Sequence, residues 1–99
     1  MQIELDPLTE FFDAIRSPLT KDRYEHRLDI FFKHAGIEGK DLRERASSFA
    51  SKAKHDPALA TYQINEYMRY QKGRAEKGEI AESTLANFWK PIKLFTEQN

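Results

Sequence analysis

An all-α fold, a compact bundle of four to five helices, is what this chain predicts, and three observations carry the expectation. No segment alternates polar and apolar residues with period two for long enough to make a strand. Asp6-Pro7, Ser17-Pro18 and Asp56-Pro57 each place a side chain able to cap a helix directly before a proline. Proline at the first helical position gives up only an amide that has no helical partner anyway. Finally, Thr20, Tyr24, Leu28 and Phe31 repeat the spacing of Thr84, Phe88, Ile92 and Phe95. At about 100° per residue each set lines one face of a helix, with a hydroxyl leading an apolar stripe.

The first helix is expected from Pro7 to Arg16, burying Leu8, Phe11, Phe12 and Ile15. The second runs from Pro18 to His34 and closes at Gly36, a residue suited to the left-handed conformation that ends helices. The third, Asp41 to Lys54, buries Leu42, Ala46, Phe49 and Ala53. The fourth starts at Pro57, carries Ile64, Tyr67, Met68 and Gln71, and frays near Gly73 or Gly78. A fifth begins close to Glu82 and continues to the end of the chain. Inside it Pro91 removes the backbone bond to Asn87 and crowds that carbonyl, which predicts a kink or a local opening. Tyr24, Leu28, Phe31, Ile64, Leu85, Phe88, Trp89 and Phe95 are expected to be mutually buried.

Ninety-nine residues fit a single domain with an ordered core from about residue 8 to 97. Seven phenylalanines, four tyrosines and Trp89 are enough to fill it. With no cysteine there is neither a disulfide framework nor a thiolate metal site. No long apolar run or signal peptide is present, so a soluble, cytoplasmic chain with no membrane partner is expected. Lys and Arg number 16 and Asp and Glu number 16, which removes the simplest argument for nucleic-acid binding. Any such argument rests on where the charges sit.

Around the second helix, Asp22, Glu25 and Asp29 fall on one side, while Arg23, Arg27, Lys33, His26 and His34 fall on the other, beside Thr20. Guanidinium forks bind phosphate bidentately or read guanine edges, and a hydroxyl at a helix start joins backbone amides in holding a phosphate. The fifth helix offers a counterpart in Ser83, Thr84, Asn87 and Lys90, with Leu85, Phe88, Trp89 and Ile92 facing the core. The same stripe also describes an ordinary solvated face. A small helical protein-interaction module without DNA binding is the alternative from another class, for which balanced charge and surface aromatics are natural.

Nothing in the chain arranges catalysis. Tyr24, Tyr62, Tyr67 and Tyr70 lie at helical spacing with apolar neighbours and read as core or rim aromatics. His26, His34 and His55 lack metal-ligand spacing. Gly73 and Gly78 flank Arg74 and Lys77 without forming a phosphate-cradling motif. No catalytic residue, metal or cofactor is therefore expected.

Ser17-Pro18-Leu19-Thr20, followed by Tyr24, Leu28 and Phe31, resembles the opening of the core-binding domain of tyrosine recombinases of the phage-integrase family. Ile64 and Tyr67, then Lys77-Gly78, Ala81-Glu82-Ser83-Thr84-Leu85, Phe88, Ile92 and Phe95, resemble its second half. The resemblance spans about Leu8 to Phe95. It implies a SAM-like helical domain that grips one side of duplex DNA while a separate catalytic domain of the same parent chain, absent here, grips the other. Carried over by position, it implies DNA contacts from Thr20, Arg23 and Arg27 on the second helix and from Ser83, Thr84, Asn87 and Lys90 on the fifth. Other recombinase protomers would be further partners. Two departures stand out: Gly39 to Pro57 is longer and more charged than the family has between its halves, and Pro91 falls where the family continues a plain helix. Asn99, directly after an apolar helix, is expected to be the boundary of a domain excised from a longer protein.

Overall fold

All three proline-led starts are helix N-termini in the computed structural model, which describes residues 6–98. The boundary expected at Asn99 lies outside the described residues. Asp6 accepts from the Thr9 amide at 3.1 Å, Ser17 from Thr20 at 3.4 Å and Asp56 from Leu59 at 3.1 Å. A fourth cap, Asp41, accepts from Glu44 at 2.9 Å, while the Glu44 carboxylate reaches back to the Lys40 amide at 2.8 Å. The helices are α1 (Pro7–Asp13), α2 (Pro18–His34), α3 (Leu42–His55), α4 (Pro57–Glu76) and α5 (Leu85–Gln98), the last preceded by a 3₁₀ turn at Glu82–Thr84. Among the described residues there is no strand, and no helix is long and apolar enough to cross a membrane.

One boundary needs correction, and the two candidate ends of the fourth helix narrow to one. α1 stops three residues short of Arg16, because the amides of Ala14 and Ile15 tighten onto the carbonyls of Phe11 and Phe12 at 3.3 and 3.0 Å. The residue before a proline disfavours helical dihedrals, and Ser17 is extended at φ −86°, ψ 126°. α4 passes through Gly73, ends at Glu76 and is closed by Gly78, where φ is +78°. Gly36, at φ +73°, closes α2 in the same manner. In both, the next residue's amide bonds five back, Ile37 to Phe32 and Glu79 to Arg74, each at 2.9 Å. This bond pattern is the Schellman motif.

The core gathers Leu8 and Phe11 from α1, Leu28, Phe31 and Phe32 from α2, Ala46, Phe49 and Ala50 from α3, Ala60 and Tyr67 from α4, and Ile92 and Phe95 from α5, closed by Ile37. The ring of Phe95 meets Phe11, Phe32 and Phe49 with centroids 6.0, 5.5 and 6.3 Å apart. The repeated spacing of α2 and α5 survives as repeated burial. Leu28, Phe31, Ile92 and Phe95 are buried, Tyr24 and Phe88 pack partly against them, and Thr20 and Thr84 sit at the rim. Trp89 corrects the expected core, being 40% exposed, and Leu85 is only half-buried. Phe32 and Ile37 take up core positions that periodicity did not assign.

The stretch from Gly39 to Asp56 is α3 with its lead-in and closing cap, Pro57 beginning α4, and a partly buried ion pair docks it. Arg45 Nε and NH2 donate to the two carboxylate oxygens of Asp29 on α2 at 2.6 and 3.0 Å, and its NH1 donates to the Gly39 carbonyl at 2.9 Å. A Cβ on Gly39 would stand 2.7 Å from the Arg45 amide nitrogen and 2.8 Å from its Cγ, so only glycine allows this approach. Arg43 adds a surface bond to the Asp6 cap, linking α3 to α1.

Candidate nucleic-acid interface

α5 lies against α1, α2 and α4, and its contact with α2 includes one bond between the two predicted sets. Pro91 is buried inside α5, whose helical span runs through it from Leu85 to Gln98. Its missing amide deprives the Asn87 carbonyl of the donor four residues on. Arg27 NH1 donates to that carbonyl at 3.4 Å, across 60 residues of sequence. Arg27 thus joins the α2 set to the α5 set directly.

The remaining predicted residues lie around this junction at helical intervals. Arg23 is one turn before Arg27 and exposed; Thr20, one turn earlier, is half-buried in the capped first turn of α2. On α5 and its 3₁₀ lead-in, Ser83 is exposed, Thr84 and Asn87 are half-buried, and Lys90, three residues beyond Asn87, is exposed. Among the described residues no ion pair holds Arg23 or Lys90, so both charges are open to a phosphate.

Three charge assignments on α2 change. Lys33 pairs with Asp29 at 3.4 Å and belongs to the acidic side. His26 lines a hollow with Asp22, Glu25, Asp29 and Leu42, at the border of the two faces. Asp29 is an anchor for Arg45 rather than a solvated charge. Burial acts to raise its pKa, but the hydrogen bonds and charges of Arg45 and Lys33 outweigh this and hold it below the ordinary value.

His34 keeps to the basic side of α2 and lies over α4, with its ring 4.7 Å from Tyr70 and 5.1 Å from Tyr67. Of the tyrosines, Tyr67 is buried, Tyr24 is half-buried, and Tyr62 and Tyr70 are 60% and 50% exposed. The Tyr67 oxygen makes no hydrogen bond of good geometry. Burial raises its pKa against the pull of the neighbouring Gln71 amide, a shift away from the phenolate that nucleophilic chemistry uses. Among the described residues no three His, Cys, Asp or Glu side chains group as metal ligands.

Sequence reasoning placed Arg27 on an open basic stripe and missed that it is half-buried and reaches the Asn87 carbonyl of α5. The signal was available: a proline at position 91 implies an orphaned carbonyl at 87, and an orphaned carbonyl calls for a donor on the adjacent helix. No family model matches the chain, and comparison with curated proteins and with solved structures also finds no match.

Proposed function

We propose that this chain is the core-binding domain of a tyrosine recombinase of the phage-integrase type, gripping duplex DNA as one half of a clamp, with a catalytic domain of the same parent chain as the other half. The observation that carries the reading is the side-by-side placement of the α2 and α5 sets at the Arg27–Asn87 contact. Arg23 lies one turn from that contact on α2 and Lys90 three residues from it on α5, both exposed; Ser83 is exposed and Thr20 and Thr84 are half-buried, while the acidic residues Asp22 and Glu25 line a hollow on α2. Open cations supply the sequence-independent phosphate attraction, and hydroxyl and amide side chains fix register or read base edges. With zero formal net charge, the attraction is local to this face, so the domain alone binds weakly, and cutting and joining belong to the proposed catalytic domain. The test is duplex binding measured as a function of salt: cation–phosphate contacts make the affinity fall steeply as salt rises.

A second reading, a protein-interaction module, is favoured by a different surface. Leu59, Tyr62 and Tyr70 are exposed on one side of α4, with Glu66 between the tyrosines and the His34 ring tilted against Tyr70. A partner bound there would be held mainly by apolar contact, and its affinity would change little with salt.

A further inference from the structure

We infer that Arg27 is a positioning residue: it holds α5 against α2 through the Asn87 carbonyl that Pro91 orphans, and so sets the spacing between the two halves of the proposed DNA face. The inference deepens the DNA reading and rests on it only for the second half of that statement.

The argument starts from the backbone. An α-helix satisfies each carbonyl with the amide four residues on, and a proline at 91 deletes the donor for residue 87. A partly buried carbonyl left unpaired costs about as much as a lost hydrogen bond. Asn87 is half-buried beside the buried Pro91 and Ile92, where protein excludes part of the solvent. Arg27 NH1 donates to this carbonyl at 3.4 Å. The two arginines of α2 differ accordingly. Arg23 is exposed and without an ion pair among the described residues, as a phosphate contact requires, whereas Arg27 is half-buried with a donor committed to protein backbone. Arginine suits this task because its planar fork stays charged when partly desolvated and reaches a carbonyl from a neighbouring helix. Pro91 and Arg27 therefore act as one device, the first making a vacancy and the second crossing the helix interface to fill it.

A double-mutant cycle tests this. Pro91→Ala returns an amide to residue 91, which then bonds the Asn87 carbonyl and makes Arg27 dispensable. Urea unfolding, followed through the Trp89 fluorescence, is measured for the wild type, Arg27→Ala, Pro91→Ala and the double variant. The expected result is an about five- to tenfold loss in the folding constant for Arg27→Ala in the wild-type background and a much smaller loss in the Pro91→Ala background. If Arg27→Ala does not fold, recovery of folding by Pro91→Ala supports the contact. Equal losses in both backgrounds, or a double variant that also fails to fold, overturn it. Titration of the same four proteins with a fluorescein-labelled duplex of mixed sequence separates positioning from direct contact. A positioning role predicts that Arg27→Ala weakens binding in the wild-type background and leaves the Pro91→Ala variant unaffected. Equal weakening in both backgrounds makes Arg27 a phosphate ligand and overturns the assignment. Absence of duplex binding by the wild-type chain counts against the DNA reading alone, because the stability cycle decides the contact by itself.

Discussion

Asp29 accepts two bonds from Arg45 and stands 3.4 Å from Lys33, so a carboxylate placed by its spacing among solvated charges is the joint between α2 and α3. Its pKa is held below the ordinary value. A depressed carboxylate adds stability above its unfolded pKa of about 3.9 and loses it as pH falls through the lower folded value. Thermal melts across that window carry the prediction. Asp29→Asn lowers the melting temperature by about 5 °C or more near neutral pH, and its difference from wild type shrinks as pH drops below about 4. A difference that stays constant into acid would remove the ion pair from the account. Arg45 shows why this joint was hard to see. It falls on the same arc of α3 as Leu42, Ala46 and Phe49, and a charge on a buried arc signals an acidic partner without saying which acid. Trp89 shows the opposite error: its spacing to Leu85 and Ile92 fits an apolar face, but the buried arc of α5 centres on Phe88, Pro91, Ile92 and Phe95, leaving the indole on the flank.

At the scale of elements, the helix starts were legible because cap and proline act within one turn and need no tertiary information. The ends were less so. Gly73 and Gly78 were equivalent candidates for closing α4, and only tertiary packing of the chain beyond distinguishes them. Gly73 lies within the helix with open space where a Cβ would go, whereas Gly78 holds φ +78°. The two glycines should therefore respond to alanine with opposite signs. Gly73→Ala stabilises by about 0.5–1 kcal/mol through helix propensity and reduced freedom of the unfolded chain. Gly78→Ala destabilises by about 1–2 kcal/mol because alanine is strained in the left-handed region. Chemical denaturation of the two variants reads both, and equal signs would contradict the assignment of the α4 end.

For the whole molecule, an all-α bundle followed from periodicity and caps, because the aromatic stripes of α2 and α5 fix which faces turn inward. The interface between those helices was only half legible, since Arg27 and Asn87 meet through a backbone carbonyl that no side-chain pattern encodes. Core variants measure how far the two stripes share one interior. Phe31→Ala, at a fully buried ring packed on Phe32, Phe49 and Tyr67, should cost about 3–5 kcal/mol. Phe88→Ala, at a half-buried ring edge-on to Tyr67, should cost about half as much. Equal costs in urea denaturation would place Phe88 deeper than it stands here.

The proposed function is decided most directly by duplex affinity across a salt series for the wild type, an Arg23→Glu/Lys90→Glu variant and Asp22→Lys. Both reversed positions are exposed and, among the described residues, outside ion pairs, so folding should be kept within about 0.5 kcal/mol per substitution. The account predicts wild-type binding at about micromolar strength or weaker that falls steeply with salt, loss of that binding in the double reversal, and unchanged or stronger binding for Asp22→Lys. A folded double reversal that keeps the wild-type affinity and salt slope would contradict the α2–α5 face as a DNA surface and leave the exposed stripe of α4 as the working surface of this domain.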